Sequence, residues 1–96
     1  MMKFGSLFSV GKKTKKTMEQ EAKVIDVRTP GEFEGGHYAG SENIPLDRIS
    51  SELDRIKEMD QPLILVCKSG ARSGQATSFL KQHGIEAKNG GSWNSL

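Results

Sequence analysis

The sequence predicts an α/β protein with a small central parallel sheet flanked by helices. Three observations carry that expectation. Two apolar runs, "AKVIDVR" (22–28) and "PLILVC" (62–67), are short, bounded by turn residues and rich in branched side chains, as buried strands are. Between them Leu46, Ile49, Leu53 and Ile56 recur at spacings of three, four and three, the period of an amphipathic helix. After the second run Ala76, Phe79 and Leu80 mark a further helix over 73–83. Strands alternating with helices imply right-handed crossovers and parallel pairing.

The remaining elements fit between these. Residues 18–22 have room for one helical turn. "TPGEFEGG" (29–36) breaks the first strand with Pro30 and Gly31 and has the length for a turn or one turn of helix. "ENIPL" (42–46) is a short extended piece. The amphipathic helix is expected over 46–57, ended by Asp60, Gln61 and Pro62. Gly84 stands where a glycine stops a helix. "IEAK" (85–88) is expected as the last strand and "NGGSWNSL" (89–96) as a closing loop.

A chain of 96 residues suits one domain with one core. It is 34% hydrophobic and 27% charged, and no stretch nears the ~18–20 apolar residues of a spanning helix. The single cysteine excludes an internal disulfide, so the fold does not depend on an oxidising compartment. The early apolar run is broken by Gly5, Ser6 and Ser9 and lacks a small-residue cleavage site, so a cytoplasmic location is expected rather than export. The net charge of +2 hides an asymmetry. Residues 1–23 carry +4 and residues 24–96 carry −2. Residues 1–21 are therefore expected as a basic, flexible segment and residues 22–96 as the folded domain. No aromatic platform lies among the lysines, which argues for a solvated tail over a nucleic-acid binder.

Chemistry concentrates behind the second strand, in "CKSGARS". Ligands of parallel α/β sheets bind beyond the carboxyl ends of the strands, and Cys67 is placed there. Lys68, Ser69, Gly70 and Ala71 turn the chain, and Arg72 leads into a helix. A glycine-bearing turn aims successive N–H groups inward, and a helix N-terminus adds positive potential. A thiol in such a nest is held as thiolate. Two anions suit the cradle. One is a phosphate or arsenate, as in cysteine phosphatases and arsenate reductases. The other is a persulfide, Cys–S–S⁻. Four residues separate Cys67 from Arg72. Phosphatase loops are one residue longer, and the smaller ring suits a single terminal sulfur.

Taken in order, "VIDVRTPGEFEGGHYAGSENIPL", "LILVCKSGARS" and "NGGSW" resemble a single-domain rhodanese over about residues 22–94. The resemblance implies a thiosulfate sulfurtransferase. Its cysteine takes sulfane sulfur from thiosulfate or a similar donor and passes it to cyanide or to a thiol, such as that of a thioredoxin-like protein. Cys67 matches the family nucleophile, and Lys68, Ser69, Gly70, Ala71 and Arg72 its active-site loop. Asp26 and Arg28 match the "DVR" beside the site and Glu32 the acid that follows, which the resemblance implies form supporting ion pairs and hydrogen bonds; His37 matches the "GH" before "NIP" and is counted with these supporting residues. Tyr38, Ser41 and the close placement of Trp93 after Gly91 depart from the family pattern.

Each residue also has a plainer reading. Cysteine is frequently a small buried hydrophobe, but the loop behind Cys67 favours a reactive thiol. A cation at a helix N-terminus, as at Arg72, calls for an anion. Lys68 either steers anions or faces solvent, and Ser69 either donates to sulfur or caps the turn. Asp26 and Arg28 are expected as a structural pair beneath the site, His37 as a loop-packing residue bonded to backbone, and Trp93 as a lid on the sheet. One cysteine and two distant histidines make no metal site, and the resemblance implies no cofactor. A non-catalytic or sulfur-relay binding module stands as the alternative to an enzyme.

Overall fold

The computed structural model describes residues 22–96. The lysine-rich segment and all but the last residue of the turn expected at 18–22 lie outside them. The elements run β1 (Lys23–Asp26), α1 (Pro30–Glu34), β2 (Glu42–Asn43), a 3-10 helix (Leu46–Arg48), α2 (Leu53–Lys57), β3 (Leu63–Cys67), α3 (Ala71–Gln82) and β4 (Ala87–Ser92). The four strands form one sheet in the order β2-β1-β3-β4, every neighbouring pair parallel. This is the α/β architecture the strand–helix alternation predicts.

All five residues of β3 are buried, as a central parallel strand covered on both faces requires. Side chains alternate across a strand. Ile25, Leu63, Leu65 and Cys67 point to one face and meet Ile56 of α2 and Ala76 and Leu80 of α3. Val24, Ile64 and Val66 point to the other and meet Tyr38 and Trp93. The alternation therefore delivers Cys67 to the face on which α3 packs. Burying each of these Leu, Ile or Val side chains stabilises the fold by about 1.5–3 kcal/mol. Among the described residues, no helix is long and apolar enough to cross a membrane.

Three expected boundaries are corrected. The single helix expected over 46–57 is two short helices, 3-10 then α. The chain between them is held by the Ser51 hydroxyl, which donates to the Arg48 carbonyl at 3.0 Å. Serine competes for backbone groups in this way and interrupts a regular helix. The three-four-three spacing still buries Ile49 and Ile56, because two short helices in series keep one apolar face inward. The helix expected from 73 begins at Ala71, directly after Gly70, whose φ of 102° reverses the chain. Residues 29–36 hold the short helix allowed for there, α1, whose start is fixed by a capping box. Thr29 accepts from the Glu32 N–H, and Glu32 accepts from the Thr29 N–H.

The third correction matters most for the site. The last strand is not 85–88 but Ala87–Ser92. The pair of glycines that reads as a loop is a bulge: Leu65 pairs with Asn89 and Val66 with Gly91, leaving Gly90 as the extra residue. The strand thus continues beside β3 as far as Cys67, which pairs with Ser92. A Cβ on Gly90 would lie 2.6 Å from Ile64 Cγ2 and 3.0 Å from Val66 Cγ1, so only glycine fits. Gly90→Ala is predicted to destabilise the protein by roughly 1–3 kcal/mol, the usual cost of overpacking. Urea unfolding checks it; an unchanged midpoint would mean that β4 does not seat against β3 as described.

Candidate active site

Cys67 is the last residue of β3, and its side chain is 1% exposed. The chain then turns through Lys68, Ser69 and Gly70 into α3. The left-handed conformation of Gly70 aims its N–H back at the strand end, where it donates to Cys67 Sγ at 2.9 Å. The Ser73 N–H, in the first turn of α3, donates to the same sulfur at 3.4 Å. The Ser73 hydroxyl lies 3.4 Å from it as well. Burial pushes the Cys67 thiol up. The Ser73 hydroxyl and the backbone N–H groups of Ser73, Gly70 and Ser69 outweigh that and bring it down from 9.0 to about 7. Hydrogen bonds to the charged form thus overcome desolvation, and thiolate is abundant at neutral pH.

The loop is held from three sides. The Trp93 N–H donates to the Cys67 carbonyl at 2.9 Å and fixes the strand end. Asn89 Nδ2 donates to the Gly70 carbonyl at 3.0 Å and fixes the turn. Arg72 reaches away from the loop to α1. Its Nη1 and Nη2 donate to Glu32 Oε1 and Oε2 at 2.8 and 3.1 Å, a two-pronged pair. The anion that the sequence position of Arg72 demands is therefore Glu32. The Arg72 guanidinium holds the Glu32 carboxyl well below its ordinary value, at about 2, with help from the Thr29 N–H and hydroxyl.

Asp26 and Arg28 form the expected structural pair beneath the site. Both are buried, at 0% and 4% exposure. Arg28 Nε and Nη2 donate to the Asp26 carboxylate at 2.7–3.0 Å, and Nη2 also donates to the Gly36 carbonyl at 2.7 Å. The guanidinium carbon lies 4.7 Å from the centroid of the Trp93 ring. One buried cation thereby joins the end of β1, the loop at Gly36 and the tryptophan that covers the second face. His37 belongs to the α1 end: its ring stacks on Phe33 at 3.7 Å and Nδ1 donates to the Phe33 carbonyl at 2.8 Å. Lys68, Ser69 and Ala71 are exposed.

The structure thus gathers Cys67, Gly70 and the amide of Ser69 around one sulfur, with Arg72 and Glu32 as a brace. It leaves His37 apart from that cluster. It adds two residues that sequence reasoning does not select, Ser73 and Asn89. Ser73 had a local signal, being the first-turn hydroxyl after the loop. Asn89 had none, because its contact with the loop depends on the bulge in β4.

Comparison with known proteins agrees with this geometry. A family model described as a rhodanese-like domain matches residues 11–91. The chain is 43% identical to the uncharacterized protein YqhL of Bacillus subtilis, over 68% of this chain and 51% of that one. It is 37% identical to a thiosulfate sulfurtransferase GlpE of Pseudoalteromonas translucida, over 71% of this chain and 64% of that one. It therefore spans between about half and two thirds of the length of these curated relatives. Among solved structures it is similar to a rhodanese with anions from E. coli. The TM-score is 0.71 and the identity 27%, over 78% of this chain and 91% of that one.

The Glu32–Arg72 pair makes a prediction about acid. The folded carboxyl ionises at about 2 against 4.5 for an unperturbed glutamate. A depressed carboxyl adds stability that is fully present above the unfolded value and is lost as pH falls through the folded value. Glu32→Gln is expected to be modestly less stable than the parent at pH 7. The gap should shrink below pH 4.5 and close near pH 2. Urea unfolding at a series of pH values measures it, and a gap that is constant across that range contradicts the assignment.

Proposed function

The chain belongs to the rhodanese-like domain family, and on that premise we propose that it is a sulfurtransferase working through a persulfide on Cys67. One observation carries the reading: a thiol at a strand end, solvated by inward-facing N–H groups in a loop with four residues between cysteine and arginine. A loop of that length suits a single terminal sulfur.

In the proposed cycle the Cys67 thiolate attacks the outer, sulfane sulfur of thiosulfate or a similar donor. The sulfur–sulfur bond of the donor breaks, and its electron pair leaves on sulfite. The product, Cys67–S–S⁻, carries its charge where the loop amides face. A nucleophile then attacks the outer sulfur and the pair returns to Cys67. Cyanide leaves as thiocyanate; a thiol, free or on a thioredoxin-like protein, leaves as its own persulfide. The charges balance in both halves, so no cofactor or external oxidant enters. No general base is needed either, because the nucleophile enters as thiolate and sulfite departs as an anion. The location of Arg72 on Glu32 fits this reading, since a neutralised arginine leaves binding of the sulfur anion to the amides.

Lys68, Ser69, Gly70, Ala71 and Arg72 are proposed as the loop that holds the persulfide. Asp26, Arg28, Glu32 and His37 are proposed as support. Incubation with thiosulfate is predicted to add the mass of one sulfur atom to the intact protein, and cyanide to remove it as thiocyanate. Cys67→Ser is predicted to reduce thiocyanate release to the protein-free rate with no mass gain. Turnover retained by Cys67→Ser would overturn the reading, and so would a parent protein that gains no sulfur.

A further inference from the structure

Ser73 stands between two claimants for one proton. Its hydroxyl is fully buried. Its Oγ lies 2.6 Å from Asn89 Oδ1 and 3.4 Å from Cys67 Sγ. A hydroxyl carries one hydrogen and donates once. When the sulfur is a thiol, its S–H donates to Oγ and the Ser73 hydrogen goes to Asn89. When the sulfur is an anion it needs that hydrogen, and the hydroxyl must turn. Asn89 Oδ1 is not stranded by the turn, because the Gly91 N–H also donates to it, at 3.0 Å. The other end of the same amide holds the Gly70 carbonyl at 3.0 Å, in the residue whose N–H reaches the sulfur.

We propose that Asn89 is a positioning residue for the thiol: it anchors the Gly70 turn and holds the Ser73 proton away from the sulfur until the sulfur is charged. Asn89 touches no reacting atom and acts through Ser73 and Gly70. The proposal rests on Cys67 being the reacting group, and it goes further by placing control of that group on β4, outside the loop. Removing the Asn89 acceptor frees the Ser73 hydroxyl for the sulfur and favours thiolate.

Among the described residues, these charged groups lie on the elements packed around Cys67. Asp26 and Arg28, at the end of β1, are paired with each other. Arg72 of α3 is paired with Glu32 of α1. Lys68 in the loop is exposed, and the nearest charge on β4, Lys88, is exposed too. None is altered by a change at Asn89, so thiol ionisation reports the two contacts Asn89 makes: loss of the Ser73 acceptor moves the midpoint down, and a loosened Gly70 turn moves it up.

The test is the rate of alkylation of Cys67 by iodoacetamide against pH. It needs no sulfur donor, and Cys67 is the only cysteine to label. Asn89→Ala is expected to move the midpoint of the profile downward. It should also speed alkylation at pH 6 roughly two- to fourfold, since a larger thiolate fraction is partly offset by lower nucleophilicity. In a Ser73→Ala background the acceptor no longer matters, so the same substitution should give no downward shift, only the rise that a loosened Gly70 turn brings. Asn89→Asp keeps the acceptor and adds a negative charge, and should move the midpoint upward. An unmoved or raised midpoint in Asn89→Ala with Ser73 present overturns the proposal. So does a downward shift that persists without the Ser73 hydroxyl, or a downward shift in Asn89→Asp. Those outcomes leave sulfur loading of the parent protein untouched, and a parent that fails to load sulfur leaves these shifts untouched.

Discussion

The hydrogen bond from the Gly70 N–H to Cys67 Sγ, at 2.9 Å, depends on a backbone angle that only glycine adopts easily. Much of the molecule serves that contact. The central strand must end at Cys67 with its side chain on the α3 face. The chain must then reverse within three residues, and α3 must begin at once so that the Ser73 amide also reaches the sulfur. A side chain at Gly70 would meet Gly91 Cα at 3.5 Å in addition to its unfavourable φ of 102°. Buried sulfur would otherwise stay protonated. The donors reverse that preference, which is how a thiol that is 1% exposed becomes chemically available.

The two ion pairs flanking the loop have different tasks. Asp26–Arg28 is buried, with Nε and Nη2 donating to the carboxylate and Nη2 also to the Gly36 carbonyl, and such added hydrogen bonds offset the cost of burying a charged pair. It ties β1 to Gly36 and supports Trp93. Glu32–Arg72 is partly exposed and contributes less to stability, but it spans from α1 to the first turn of α3. It offsets a cation that the helix dipole disfavours. The first pair is the structural one the sequence suggests; in the second, a cation that suggests anion binding resolves into a brace beside an amide-lined site.

Features governed by local periodicity were legible in the sequence. The buried run 63–67, the helix behind the loop and the inward positions Ile49, Ile56, Ala76 and Leu80 follow from apolar spacing. The loop around Cys67 was legible because its determinants are contiguous. Legibility ended where a long-range contact decided the outcome. Asn89, Gly90 and Gly91 read as a turn by composition, yet strand pairing with β3 draws them into the sheet through a bulge. The break within 46–57 was hidden because two short helices satisfy the same apolar spacing as one long helix. Glu32 was named by the family resemblance as a supporting residue; that its partner is Arg72, forty residues away, was not legible, because the pairing depends on how α1 and the start of α3 come together.

The chemistry of the site depends on a thiolate held by the fold. The most direct test is an ultraviolet titration of the Cys67 thiolate in the folded protein and again in denaturant. A folded midpoint of about 7 is expected, with the unfolded chain returning toward 9.0. A folded midpoint equal to or above the unfolded one would contradict it, because the amide and hydroxyl donors would then not be stabilising the charged sulfur.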